Sequence, residues 1–271
     1  MPQKLTLSQV MKQLEAHGDE KLRQRYVRDG AGDNVFGVMM GKIRGLAQAL
    51  GSDHALGLAL WATGNHEARI LACMLLDPAA LTEKEARGLL EPLVSATLVD
   101  ELVGRVLVHA SVAEALQIRW MDGRAELPRR AGWKILAGRI ARGAKDVDIA
   151  ATLARIEREL PAAPYQVKEG INYCLVWIGV HVPAYSAEAI EIGERLGRWD
   201  TRPVPKGCTS WYAPESIAAM LAVRRGEKTA ARQAMEAASA KKVAPARKVA
   251  AKQAAPAKKS AAAKVAAKHA R

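Results

Sequence analysis

The residues best suited to chemistry in this sequence are an isolated acid, scattered histidines and a run of cations gathered at one end. Asp100, in LVDELVG, is a carboxylate on a helical stretch beside Val99. A group of that type can face a developing cation or position an attacking water, but alone it reads as a helix-surface carboxylate. The six histidines are dispersed, and His66, next to Glu67, reads as a capping or surface residue. Cys73, Cys174 and Cys208 lie far apart with no CxxC or Cys/His spacing. Reduced thiols, a cytosolic compartment, no metal and no cofactor are therefore the expectation. Cys208 has only Lys206 nearby to lower its pKa and is read as structural. None of GxxxxGK[ST], GxGxxG, HExxH or GxSxG occurs, so no motif signals P-loop, dinucleotide, zincin or hydrolase chemistry.

The charge is concentrated. The chain carries 41 Lys+Arg against 28 Asp+Glu, a net charge of +13. Residues 224–271 hold 14 basic and 2 acidic residues, net +12, which leaves 27 basic against 26 acidic residues in 1–223. From Ala237 onward the chain is built of Ala, Lys, Arg, Val, Pro, Ser, Gln and one His, without Leu, Ile or an aromatic. Pro245 and Pro256 interrupt any helix there, and nothing is available to anchor a core, so a disordered arm is expected. Its cations, among them Lys241, Lys242, Arg247, Lys248, Lys258 and Lys259, suit phosphate neutralisation that reads no base sequence. A nucleic acid is the expected partner, DNA and RNA not being distinguished by this feature; the arm's composition resembles the tails of bacterial nucleoid proteins, so a nucleoid-associated location is expected. No apolar run is long enough for a signal peptide or a membrane span.

The elements that must position any site read as helix after helix over 1–223. Ser8 is placed to cap LSQVMKQLEAH, with Gly18 closing it. After the turn-rich GAGDN, the stretch FGVMMGKIRGLAQALG sets Met39, Ile43, Leu46, Ala47 and Leu50 on one face. Asp53 starts the next helix, Asn65 caps HEARILACMLLD, and Thr82 with Glu85 forms a capping box. YCLVWIGVHV is rich in β-branched residues but continues a helical pattern, so it is assigned to a buried helix. Trp61, Trp120 and Trp133 sit at helical spacing among Leu, Ile and Ala and are assigned to the core. Trp199 and the pair Trp211–Tyr212 are placed over the last repeat. Many helices of similar length with short links and few aromatics predict an all-α solenoid of antiparallel pairs with degenerate HEAT-like repeats, rather than a compact bundle. It is expected to be monomeric.

Five stretches in order carry a family resemblance: FGVMMGKIRGLA, LWATGNHEARILACMLLDP, RRAGWKILAGRIA, INYCLVWIG, and AEAIEIGERLG followed by KGCTSWYAPESI. Together they resemble the AlkD-type DNA alkylation repair family over most of residues 35–220. The resemblance implies a C-shaped superhelix of HEAT-like pairs cradling duplex DNA, with no metal. The best-studied members excise cationic alkylated purines. It implies Asp100 as the catalytic carboxylate and Arg130 as the arginine contacting the DNA backbone near the lesion, with Arg129 beside it. Tyr173 stands where active relatives usually carry Trp, and Trp177 lies on the same helical face. Arg44, Arg69 and Lys134 complete the expected DNA-binding set of the body.

The chain departs from the pattern before Asp100. Active glycosylases of the family carry a Trp–Trp–Asp cluster there, and this chain has SATLV, residues 95–99. Three readings follow: a glycosylase for alkylated purines, a noncatalytic binder of damaged or branched duplex, and a protein-interaction scaffold tethered to DNA by the arm.

Overall fold

The computed structural model describes residues 5–200 and 212–226. The chain forms α1 (Leu7–Ala16), α2 (Glu20–Arg28), α3 (Met40–Leu50), α4 (His54–Ala62), α5 (His66–Leu75), α6 (Glu83–Leu90) and α7 (Ala96–Arg105). It continues with α8 (Ala113–Met121), α9 (Glu126–Ala141), α10 (Ile149–Glu159), α11 (Tyr165–His181), α12 (Ser186–Leu196) and α13 (Ala213–Arg224). Among the described residues there is no strand, only a single bridge between Gly18 and Val38. Residues 5–200 and 212–221 belong to one compact unit. The described part of a second unit is 222–226, the end of α13 and its turn. The expected disorder of the arm beyond residue 226 lies outside the described residues.

Within the compact unit, α3, α5, α7, α9 and α11 pack each against the next and make a continuous inner row. The intervening helices form the outer layer: α4 packs on α5, α8 on α9, and α10 and α12 on α11. Each hairpin thus buries an apolar stripe against its own partner and against its neighbours, as in a helical-repeat array, and the buried residues form two clusters, the first with Trp61 and Trp120 and the second with Trp133. All three tryptophans are buried, as their spacing indicates. The stretch 173–182 is helical, within α11 and its C-cap.

Local signals set many boundaries. Asp53, Asn65 and Asp148 each accept a backbone N–H at the start of α4, α5 and α10. Thr82 and Glu85 form the reciprocal capping box of α6. Two boundaries differ from the sequence reading. The cap of α1 is Thr6, not Ser8, because Thr6 and Gln9 satisfy one another's backbone N–H groups. The chain remains non-helical through Met39, which is 64% exposed instead of sharing the buried face.

The delayed start of α3 has a single cause. The fully buried Glu67 carboxylate accepts N–H groups from Phe36 at 3.0 Å, Gly37 at 2.7 Å and Val38 at 3.0 Å. Gly37 adopts φ +81°, and a Cβ there would sit 2.3 Å from the Asp19 carbonyl. Three amides captured by a carboxylate outcompete one more helical turn, since hydrogen bonds to a charged group contribute about 1.5–3 kcal/mol each.

One close approach builds the site. Gly170 of α11 faces the backbone of Arg130 on α9; a Cβ would lie 3.0 Å from the Arg130 carbonyl. The missing side chain lets α11 seat directly on α9 and brings Glu169 and Tyr173 against Arg130 and Lys134.

Candidate functional site

Three helices of the inner row supply the site. Arg130 and Lys134 are one turn apart on α9, and Glu169, Tyr173 and Trp177 are successive turns on α11, so each set shares a face. Asp100 comes from α7. Around α11 from Gly170 to Val180, Tyr173 and Trp177 alone are not fully buried. They line a cavity of about 380 Å³ with Asp100, Arg130, Lys134 and Glu169.

Arg130 is the hub. Its Nε donates to Asp100 Oδ1 at 2.8 Å and its Nη2 to Oδ2 at 2.7 Å, the bidentate geometry that a planar guanidinium offers a carboxylate. Nη1 pairs with Glu169 and also donates to the Gln166 carbonyl at 3.3 Å and side-chain Oε1 at 3.2 Å. The Arg130 side chain is only 6% exposed, against 32% for Asp100. Lys134 Nζ lies 2.5 Å from the second Asp100 oxygen and 4.7 Å from the centre of the Tyr173 ring. Tyr173 and Trp177 meet at a tilt of 53° with ring centres 4.8 Å apart, and Trp177 meets His181 edge-on at 5.1 Å.

The electrostatics follow from these contacts. Burial alone would raise the Asp100 carboxyl, but the Arg130 hydrogen bonds and the Lys134 charge outweigh it and hold it below the usual carboxylate range. Burial, then the adjacent Asp100 charge, pushes the Tyr173 hydroxyl up to about 12. Asp100 is therefore ionised at neutral pH, with both oxygens engaged by cations of its own chain.

The remaining residues singled out from sequence fall into distinct places. Arg44 lines a separate cavity of about 490 Å³ with Gln48, Cys73, Arg105 and His109. Gly104 borders both that cavity and another lined by Asp100, Lys134, Tyr173, Trp177 and Arg142. Arg69 turns back onto its own hairpin, where Nε donates to the Trp61 carbonyl at 3.3 Å and the guanidinium lies 5.4 Å from the indole. Arg129 points to the other side of α9 and pairs with Glu159 at 3.5 Å. His66, read as a capping or surface residue, is 4% exposed and packs on Tyr26 at 5.7 Å. Cys208, Trp211 and the arm lysines and arginines 241, 242, 247, 248, 258 and 259 lie outside the described residues. Of residues 95–99, Ser95, Leu98 and Val99 are buried, and none of the five lines the cavity.

Sequence reasoning missed Glu169, Gln166 and Arg142. Glu169 precedes Tyr173 by one helical turn and was accessible on that ground; the others required the packing of α11 and α7 on α9. Among the described residues no group of three or more His, Cys, Asp or Glu is arranged to hold a metal ion. None of their helices is long and apolar enough to cross a membrane.

Paired helices whose alternate members form an inner row, with a paired carboxylate and an aromatic stripe on that row, define a HEAT-like repeat protein. The family model for DNA alkylation repair enzymes matches residues 10–238, and the chain belongs to that family. A solved structure with a TM-score of 0.71 and 25% identity, covering 82% of this chain and 96% of its own, agrees in fold. It is described as a new family of proteins related to the HEAT-like repeat DNA glycosylases with affinity for branched DNA structures. No curated protein sequence gives a significant match.

Proposed function

We propose that this protein binds duplex DNA through the inner helical row and favours branched or distorted DNA, without excising bases. The observation that carries the reading is the state of Asp100. A carboxylate that stabilises a cationic nucleoside must present unneutralised charge to it. Here Arg130 takes both oxygens, and the Lys134 ammonium lies between Asp100 and the Tyr173 ring, where a cationic base would have to sit. The absence of aromatic residues at 95–99 supports the same reading, since the aromatic border of the cavity comes from Tyr173 and Trp177 of α11 alone. Arg44, on the wall of the neighbouring cavity, suits a phosphate contact flanking a face that accepts unstacked bases, whereas Arg105 is taken by Glu101 and Arg142 by the Val108 carbonyl. The structural relative with affinity for branched DNA supports this substrate class. The basic arm adds affinity independent of sequence and shape.

One observation favours a second reading. Asp100 keeps partial exposure in a cavity bordered by two aromatic rings, the elements of a purine glycosylase site. Incubating the full chain with alkylated duplex DNA separates the two. The first reading expects no release of methylated purine in excess protein. Release that Asp100→Asn abolishes would establish the second.

A further inference from the structure

The cavity of about 490 Å³ that Arg44 lines also takes Gln48 and His109. Arg44 and Gln48 are one turn apart on α3 and share a face. His109 ends the 3-10 turn Leu107–His109. Arg142, the C-cap residue of α9, reaches it from behind: its Nη1 lies 2.9 Å from His109 Nδ1 and also donates to the Val108 carbonyl. A guanidinium holds its protons and only donates. Nδ1 is therefore the acceptor in that contact, and the ring proton sits on Nε2. The imidazole has one N–H left to give, on the edge away from Arg142. All the polar side chains on the cavity wall, Arg44, Gln48, Arg105 and His109, can donate, and none is a carboxylate. Of the elements packed on the turn, Pro78–Ala80 and α8 bring no charged residue to this wall, α7 brings Arg105 with its partner Glu101, and α9 brings Arg142. Burial, then the Arg142 charge, keeps the imidazole below its ordinary range, so it is uncharged at neutral pH.

We propose that this cavity seats one DNA phosphate and that His109 binds it by donating Nε2–H to a phosphate oxygen, with Arg142 as the residue that positions the ring and fixes its tautomer. Arg44 and His109 are both exposed, the first supplying charge and the second direction. A charged donor attracts any phosphate within reach, whereas a single N–H held at one angle sets where the phosphate stops. The proposal rests on the reading that the inner row engages DNA and adds a contact that carries no charge.

The test titrates the full chain against a four-way DNA junction over a series of salt concentrations, with circular dichroism to establish that each variant is folded. His109→Ala should weaken binding about tenfold, the loss expected for one hydrogen bond to a charged group. Its log–log salt slope should match that of wild type, because an uncharged donor releases no counterion. Arg44→Ala should weaken binding and reduce the slope by about 0.9. His109→Gln, whose amide carries a donor near the Nε2 position, should keep most of the affinity. The ratio of wild-type to His109→Ala affinity should be the same at pH 7 and pH 8.5, an interval over which a charged imidazole would lose its proton. Long-range ¹H–¹⁵N spectra of the free protein should show the Nε2–H tautomer at His109, and a mixture of tautomers in Arg142→Met. Should Arg142→Met not fold, the wild-type spectrum decides the tautomer. Wild-type affinity in His109→Ala, a reduced slope in that variant, a ratio that falls with pH, or an Nδ1–H tautomer would overturn the proposal. A wild-type protein that binds no DNA would overturn the underlying reading as well, whereas normal wild-type binding beside an unaffected His109→Ala overturns this inference alone.

Discussion

Replacing Arg130 with alanine asks whether the site is held together by its ion pairs. The substitution removes the partner of both Asp100 oxygens and of Glu169, and leaves two carboxylates with one cation, Lys134. Deleting one member of a buried pair costs about 3–5 kcal/mol, because the stranded charge remains. Asp100 is 32% exposed, so water reaches it and the expectation falls at the lower end, about 3 kcal/mol. For a domain of this size about 1 kcal/mol moves Tm by roughly 2–4 °C, so a fall of about 6–12 °C is expected. The pH dependence is the signature. In the wild type the folded Asp100 pKa is depressed, so its stabilisation is complete above the unfolded value of about 3.9 and lost as pH falls through the folded one. In Arg130→Ala, burial is opposed by Lys134 alone and Asp100 takes up its proton at higher pH. The stability gap should therefore be widest near pH 7 and shrink by about pH 4.5. Urea denaturation of both proteins at the two pH values measures it. A gap below about 1 kcal/mol at pH 7, or one unchanged by acid, would refute the reasoning.

Three further expectations follow. Glu67→Ala strands the amides of Phe36, Gly37 and Val38 and should lower stability by about 3–5 kcal/mol, read from urea midpoints. Truncation after Val223 should leave the folded helical spectrum unchanged while weakening DNA binding. If half of the arm's basic residues engage phosphates, it should also reduce the log–log salt slope by roughly 5–6. Burial pushes the Cys73 and Cys174 thiols well above their ordinary range. Iodoacetamide at mildly alkaline pH should leave both unmodified in the native protein and alkylate both in urea, as peptide mapping would show.

What was legible in the sequence was what short-range chemistry decides. Asp53, Asn65 and the Thr82–Glu85 box mark helix starts because a cap and its target lie within three residues. The buried tryptophans follow from helical spacing. The start of α3 was not legible, because the amides of Phe36–Val38 are claimed by Glu67, some thirty residues away in the chain. Asp100 and Arg130 could be given a role only through family resemblance, and nothing local indicated that they would bond to each other. The pairing of Glu169 with Arg130 and the inward turn of Lys134 depend on α11 seating on α9 at Gly170, a contact between distant segments. Arg69 and Arg129 illustrate the converse: basic residues in promising stretches are taken by Trp61 and Glu159 of neighbouring elements.

The central claim, that the inner row reads DNA shape, is tested most directly by one affinity ratio. Full-length protein is titrated against a four-way junction and a linear duplex of matched length and base composition, at one fixed salt concentration. Binding to the junction at least tenfold tighter, equivalent to about 1.4 kcal/mol, is the predicted result. Equal affinity for the two DNAs would contradict the account.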